Sequence, residues 1–249
     1  MNASSLSLRR FTPQIATMLI LAAGAWLVTI EWARDMDAMP GTMGLGFPVF
    51  ILAWLLMMAA MMLPSVAPVA SMYSRSVRSS RLPRLALFTA GYLVVWTAAG
   101  LPAFGTGRLA EWLAEHHGRA ATGLAAGLFA TTGLYQLSSL KDRCLAHCRS
   151  PFSLLLRYGS YRGALRDLRA GLHHGGYCLP CCWSLMLLLV ALGVMNTWAM
   201  IAVAAVVLVE KLSRRGELVA RLVGAGALVL AVAVIWIPDL APGLQNPPL

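Results

Sequence analysis

The chain has 249 residues, of which 59% are hydrophobic and only 12% are charged. Soluble domains carry about 25% charged residues, so this composition excludes a disordered chain and argues against an ordinary soluble enzyme. The net charge of +10 comes from 20 Lys and Arg residues against 10 Asp and Glu residues. Length and composition together predict a single all-α integral membrane domain over residues 1–249.

Apolar segments along the chain predict a polytopic transmembrane helix bundle of about seven spans. The segments lie near residues 14–30, 47–72, 85–104, 121–140, 178–194, 197–210 and 218–238. The first segment follows Arg9 and Arg10 in the manner of a signal peptide. No small-residue cleavage site follows it cleanly, so it is predicted to remain as a span.

The fifth and sixth segments are interpreted as a tight hairpin of two short helices. As one helix, the stretch from Cys178 to Val209 would be about 48 Å long, which exceeds a hydrocarbon core of about 30 Å. Residues 193–197, Gly-Val-Met-Asn-Thr, offer a turn between them. A single long, tilted helix is the alternative, and it would reverse the direction of the seventh span.

Positive charges are distributed unevenly over the predicted loops. With the N-terminus in the cytoplasm, only Arg34, Arg108 and Arg119 of the 20 Lys and Arg residues lie on the outer side. This asymmetry follows the positive-inside rule, so the basic excess is explained without a nucleic acid partner. The predicted location is the bacterial inner membrane, where the basic loops would meet anionic lipid at the inner face.

The largest predicted loop, near residues 141–177, lies on the cytoplasmic side. It contains three leucines at 154–156, followed by four arginines between 157 and 169. This pattern predicts a short amphipathic helix on the inner membrane surface.

All five cysteines flank this loop in two groups, each accompanied by histidine. In the first group, Cys144 and Cys148 are four residues apart and share one helix face. In the second group, Cys178 and Cys181 have the Cys-x-x-Cys spacing that is common for two thiolates on one metal ion. The topology places the thiols against the reducing cytosol, which disfavours disulfides and leaves metal binding, redox chemistry or apolar packing. The candidate metal ligands are Cys144, His147, Cys148, His174, Cys178, Cys181 and Cys182.

The second span carries five methionines, at positions 57, 58, 61, 62 and 72. Thioethers are soft ligands suited to copper(I), although methionines in a membrane helix more commonly serve packing. Pro64 and Pro68 predict a break in this helix on the same side of the membrane as the cysteines.

Three further residues each have two interpretations. Pro180 either opens the fifth helix in its first turn or belongs to a Cys-Leu-Pro-Cys redox motif at a helix N-terminus. Glu210 and Lys211 end the sixth span, where a snorkelling structural pair is favoured over a proton-linked group.

Several blocks of sequence occur together between residues 54 and 211. They are Trp54–Ser65 (WLLMMAAMMLPS), the stretches 135–151 and 171–186 around the cysteines, the turn 193–196, and Glu210-Lys211. Together they resemble a bacterial family of predicted metal-binding integral membrane proteins of unknown function. The resemblance implies metal binding by the cysteines and histidines, and it supplies no metal, substrate or reaction. At Leu179-Pro180 the chain departs from the glycine that the family pattern has before the paired cysteines.

The leading functional prediction is an integral membrane protein that binds copper(I), or next zinc, at a cytoplasm-facing Cys/His site. Its role would be metal handling or a metal centre. One alternative is a membrane thiol-disulfide oxidoreductase that uses Cys178 and Cys181. A second alternative is an accessory membrane subunit whose cysteines only pack. The sequence contains no nucleotide-binding glycine loop, zinc-protease motif or serine hydrolase motif.

Overall fold

The computed structural model describes residues 13–34, 41–75, 81–149 and 156–245, and these contain helices and turns but no strand. The all-α prediction is therefore confirmed for the described residues. Two short 3-10 turns, Pro238–Leu240 and Pro242–Leu244, follow the last long helix. The principal helices are α1 (Pro13–Arg34), α2 (Phe47–Arg75), α3 (Arg81–His116), α4 (Gly118–Gln136), α5 (Ser139–Cys148), α6 (Arg166–Leu192), α7 (Thr197–Leu212) and α8 (Gly216–Trp236).

Five of the described helices are long and apolar enough to cross a membrane: α1, α2, α3, α6 and α8. The fourth and sixth predicted segments correspond to α4 and α7, which have only 19 and 16 residues. Large apolar side chains such as Ile20, Leu27, Val229 and Trp236 are exposed on the flanks of the bundle. Such outward apolar surface is compatible with contact to lipid.

Helix α6 lies at the centre of the bundle, where it packs against α3, α4, α5 and α7. The contact with α3 is close because Gly91 and Gly171 lie at the crossing. A Cβ atom at Gly91 would overlap the Leu168 carbonyl oxygen, and one at Gly171 would overlap the Phe88 carbonyl oxygen. Small residues at a helix crossing let the two backbones touch, as is common in membrane bundles.

The turn predicted between the fifth and sixth segments is present. Helix α6 ends at Leu192, and Gly193 follows with a positive φ of 99° that favours glycine. The Asn196 side chain then caps α7 by accepting a hydrogen bond from the Ala199 backbone N–H at 3.0 Å. The two-helix interpretation is confirmed, and the single long helix is wrong.

Proline positions differ from the predictions in both helices that contain the motifs. Helix α6 begins at Arg166 and contains Pro180 well inside it, so Pro180 does not open this helix. Proline lacks an N–H, so the Gly176 carbonyl has no donor four residues later. Helix α2 continues through Pro64 and Pro68, and the predicted break does not occur.

The main loop differs from the predicted amphipathic helix. Residues 156–159 form a short helical segment, which a turn containing Gly163, with a φ of 92°, separates from α6. Arg157 and Arg166 therefore belong to different helices, and the described part of the loop has no continuous helix. Other residues named in the predictions lie outside the described residues: Arg9, Arg10, Leu154 and Leu155.

Close backbone contacts hold the end of the bundle remote from the cysteines. We call Gly41, Gly107, Gly193 and Gly243 the glycine end. The Gly41 N–H donates to the Gly243 carbonyl at 3.4 Å, and a Cβ at Gly41 would overlap the Gly107 carbonyl oxygen. A Cβ at Gly243 would overlap the Gly193 nitrogen. The chain segments at this end can therefore approach one another only because glycine has no side chain.

One side-chain hydrogen bond also closes the glycine end. Thr42 is fully buried, and its hydroxyl donates to Glu111 Oε2 at 2.7 Å. Arg108 donates to the same oxygen at 3.0 Å. Glu111 thereby joins the segment before α2 to the end of α3.

Candidate functional site

Four cysteine thiols meet at the other end of the bundle. Cys178, Cys181 and Cys182 lie on one face of α6, and Cys148 ends the neighbouring α5. The Cys181 side chain contacts those of Cys148 and Cys182, and the Cys178 side chain contacts that of Cys182. We call these four residues the cysteine cluster. All of them are free thiols.

The four thiols of the cysteine cluster differ in solvent exposure. Cys178, Cys181 and Cys182 are 0% exposed, whereas Cys148 is 9% exposed. Cys148 is therefore the member nearest to the surface. A ligand that enters from outside the bundle reaches Cys148 first.

Three other helices contribute polar groups around Cys178. Lys211 Nζ, from α7, lies 2.9 Å from Cys178 Sγ. The Tyr92 hydroxyl, from α3, lies 3.0 Å from the same sulfur atom. Lys211 Nζ also donates to Ser65 Oγ, from α2, at 3.2 Å. Cys178 is thus the sulfur atom with a positive charge beside it.

A buried ion pair supports the backbone of the cluster. Lys141 Nζ donates to Glu210 Oε2 and to the Cys181 carbonyl, each at 2.7 Å, and both charged side chains are almost completely buried. Gln136 Nε2 donates to the second oxygen of Glu210 at 2.8 Å. The snorkelling pair favoured for Glu210 and Lys211 is therefore wrong, because each pairs inward with a different helix.

His174 lies next to the cluster, one turn before Cys178 on the same face of α6. It is 4% exposed, and its Nδ1 atom lies 3.2 Å from the Tyr158 hydroxyl. Its ring packs against Phe88 and Tyr92. Of the predicted histidine ligands, His174 is the one placed beside the sulfur atoms.

Two predicted ligands lie to the side of the cluster. Cys144 is half-buried and contacts Tyr135. The His147 ring stacks on Tyr177, with the ring centres 3.9 Å apart. Partial burial, together with the nearby Arg157 guanidinium, lowers the pKa of His147 below its ordinary value. His147 is therefore a neutral imidazole near pH 7.

The chemistry available at the cluster is that of soft donors. Thiolates are selective for copper(I) and other soft ions. Among the described residues, no three His, Cys, Asp or Glu side chains are already arranged around a common metal position. Four of the five methionines of α2, at positions 57, 58, 61 and 62, are buried in the core, whereas Met72 is exposed.

A cavity of about 480 Å³ lies on the opposite face of α6 from the cysteines. Its walls are mostly carbon, and none of its lining side chains carries a charge. The lining includes Trp54, Trp96, Pro102, Leu179, Pro180 and Trp183.

Sequence reasoning missed the polar partners of the cluster. Tyr92 lies within an apolar segment, and nothing local marks it as part of a site. Gln136 and Lys141 belong to a block that carries the family resemblance, but the sequence gives them no role of their own. One signal was available: Lys141 and Lys211 each follow directly after an apolar segment. That pattern is also typical of a lysine that reaches the membrane surface.

Comparison with known proteins gives one match. The model of a family described as "PpoB2: Copper chaperone" matches residues 51–234. This range contains α2 through most of α8, and with them the whole cysteine cluster, Lys211 and Tyr92. No curated protein and no solved structure matches the chain.

Proposed function

The chain belongs to the PpoB2 copper chaperone family, and on that premise we propose that it is a membrane-embedded protein that carries copper(I) on its buried cysteine cluster. Copper is the cargo in this proposal. The observation that carries it is the meeting of four free thiols from two helices at one end of the bundle. Zinc, the second prediction from the sequence, is less favoured because the matching family is described as a copper chaperone.

Burial supports a site that protects its cargo. Copper(I) bound by Cys178, Cys181 or Cys182 would be shielded from water and from competing ligands, because these side chains have no exposed surface. The thiols must lose their protons to bind the ion, so loading releases protons to the solvent. No redox step is involved, because the copper stays in the +1 state throughout.

Lys211 supports binding through its charge. Two thiolates and one copper(I) ion carry a net charge of −1, which is costly to bury in an apolar interior. The Lys211 ammonium lies 2.9 Å from Cys178 Sγ and offsets that charge. The Tyr92 hydroxyl, 3.0 Å from the same sulfur atom, supplies a hydrogen bond. Both groups hold Cys178 in place before the ion arrives.

The proposed setting is the bacterial inner membrane, with the N-terminus and the cysteine cluster on the cytoplasmic side. The excess of Lys and Arg in the loops at this end supports the orientation. Five candidate spans and the exposed apolar flanks support the membrane location. Seven crossings would place the C-terminus on the outer side. A reporter enzyme that is active only on that side should therefore be active when it is fused after Leu249.

Metal content and free thiols, measured on the same anaerobically purified sample in detergent, test the proposal. We expect about one copper ion per chain after loading with copper(I). The Cys178→Ser/Cys181→Ser variant should lose it. Cys144→Ser is the matched control, because Cys144 lies to the side of the cluster, and this variant should keep its copper.

Two other outcomes would each support a different function. A chain that holds no copper and has two thiols missing from the count would be a thiol-disulfide exchange protein. A chain that holds no copper and has every thiol free would carry cysteines that only pack. Either result would remove the copper proposal.

A further inference from the structure

A second group of metal-binding side chains lies beside the cysteine cluster on its more accessible side. His147, His173 and Tyr177 are all half-buried. Both imidazoles pack on the same phenol ring: the centre of the Tyr177 ring lies 3.9 Å from that of His147 and 4.8 Å from that of His173. Residues from the end of α5 and the first half of α6 thus form one aromatic stack.

The imidazole nitrogens in this stack lack hydrogen-bond partners. His147 Nε2 and both ring nitrogens of His173 are buried and make no hydrogen bond with any described residue. Leaving a buried polar atom unpaired costs about 1–3 kcal/mol, so most native structures avoid it. A neutral imidazole has one N–H and one nitrogen with a free electron pair, so each of these two imidazoles can offer one nitrogen to a ligand that accepts electron pairs.

The stack is directly connected to the cluster. His147 precedes Cys148, and Tyr177 precedes Cys178. The Cys148 thiol donates to the Tyr177 carbonyl at 3.7 Å. Cys148 is also the most exposed thiol of the cluster. An ion released by the imidazoles would therefore meet Cys148 before the fully buried thiols.

We propose that His147 and His173 form an entry site that takes copper(I) first and passes it through Cys148 to the buried cysteines. This inference rests on the proposed function, and it adds the route by which the cargo enters. Imidazole binds copper, but thiolate is the softer donor and holds copper(I) more tightly. Transfer is an exchange of nitrogen ligands for sulfur ligands, with the thiol protons released to water and the copper unchanged in charge.

The local charge suits a temporary site. Arg157 lies near both imidazoles and is exposed. Its positive charge weakens the binding of a cation at the stack. Lys211 instead lies beside Cys178, where copper(I) is held by negatively charged thiolates. Copper(I) is therefore expected to leave the imidazoles for the sulfur atoms.

The first test compares two double-histidine variants of the full chain in detergent. Copper(I) is delivered anaerobically from a weak chelator, and both the loading rate and the final copper content are measured. His147→Ala/His173→Ala should slow loading by at least about tenfold, the size of effect that loss of groups near a metal site produces. Its final copper content should equal that of the unmodified chain. His116→Ala/His117→Ala, an exposed pair at the α3–α4 corner, should load normally.

The second test looks for the entry site without its acceptor. A variant with serine at the four cluster cysteines should still bind one copper(I) ion, more weakly, and X-ray absorption should show nitrogen as the ligand. That ion should be lost when His147 and His173 are also replaced by alanine. Circular dichroism measures the helix content of each variant and so shows whether it is folded. If the serine variant does not fold, the first test alone decides the proposal.

The outcomes separate the two proposals. An unmodified chain that takes up no copper would overturn the copper function and the entry site together. An unmodified chain that loads copper, while His147→Ala/His173→Ala loads at the same rate, would overturn the entry site alone. A serine variant that folds but shows no nitrogen-bound copper would do the same.

Discussion

The two ends of the bundle are held together by opposite means. At the glycine end, chain segments meet because Gly41 and Gly243 carry no side chain to keep them apart. At the cysteine end, the helices are joined by polar side chains, including the buried pair of Lys141 and Glu210. The glycine end depends on residues that have no side chain, whereas the cysteine end depends on polar side chains that each need their partner.

This difference separates a structural end from a functional one. Close backbone packing gains van der Waals contact and buries no charge. A buried ion pair stabilises a fold less than an apolar core of the same shape would, so its presence at the cysteine end asks for a reason other than stability. Lys141 supplies one, because it also holds the Cys181 carbonyl. Three substitutions sharpen the comparison.

The largest effect is expected from Lys141→Met at the cysteine end. The change leaves the Glu210 carboxylate buried without its cation, and breaking such a pair costs about 3–5 kcal/mol. Urea or thermal unfolding in detergent measures the loss. Lys141→Met/Glu210→Leu is the matched control and should recover most of the stability, because neither charge remains. If the double variant is as unstable as the single one, the ion pair is not what the cysteine end depends on.

A smaller effect is expected from Gly41→Ala at the glycine end. Gly41 has a φ of +61°, and an added Cβ would overlap the Gly107 carbonyl, so the segments must move apart. Overpacking of this kind typically costs about 1–3 kcal/mol. Gly44→Ala separates the two causes, because Gly44 has a φ of +67° but open space around its Cβ position. Equal unfolding free energies for the two variants would show that the contact with Gly107 contributes nothing.

The smallest effect is expected from Thr42→Val. The valine keeps the buried shape but removes the hydroxyl that donates to Glu111, which retains its bond from Arg108. The loss should be about 1 kcal/mol, the usual net contribution of one hydrogen bond. The copper content should not change, since the site lies at the other end. A change in copper binding would show that the two ends are coupled.

Local patterns were enough to predict the helices and one turn. Hydropathy located the helical segments, and residues 193–197 were recognised as a turn because glycine and asparagine suit helix ends. The start of α6 was missed by twelve residues, from Arg166 to Cys178. The missed part contains Arg166, Asp167, Arg169 and two histidines, so its mean hydropathy resembles that of a loop.

The site was predicted in part. The cysteine spacing predicted two pairs, Cys144 with Cys148 and Cys178 with Cys181. The structure brings Cys148, Cys178 and Cys181 together with Cys182 and leaves Cys144 to the side. The partners of Cys178 come from α3 and α7, so no spacing along the chain could connect Tyr92 or Lys211 to it. Such contacts are set by the packing of helices far apart in sequence.

Helix α6 lacks one backbone hydrogen bond at Pro180, between Cys178 and Cys181. Pro180, which stands between Cys178 and Cys181 in the chain, cannot donate a hydrogen bond to the Gly176 carbonyl, while its own carbonyl accepts a hydrogen bond from the Tyr135 hydroxyl. A helix flexes most easily where a backbone hydrogen bond is missing. A bend at this turn therefore breaks fewer backbone hydrogen bonds than a bend elsewhere in α6, and it is the bend that would change the distance between the Cys178 and Cys181 thiols.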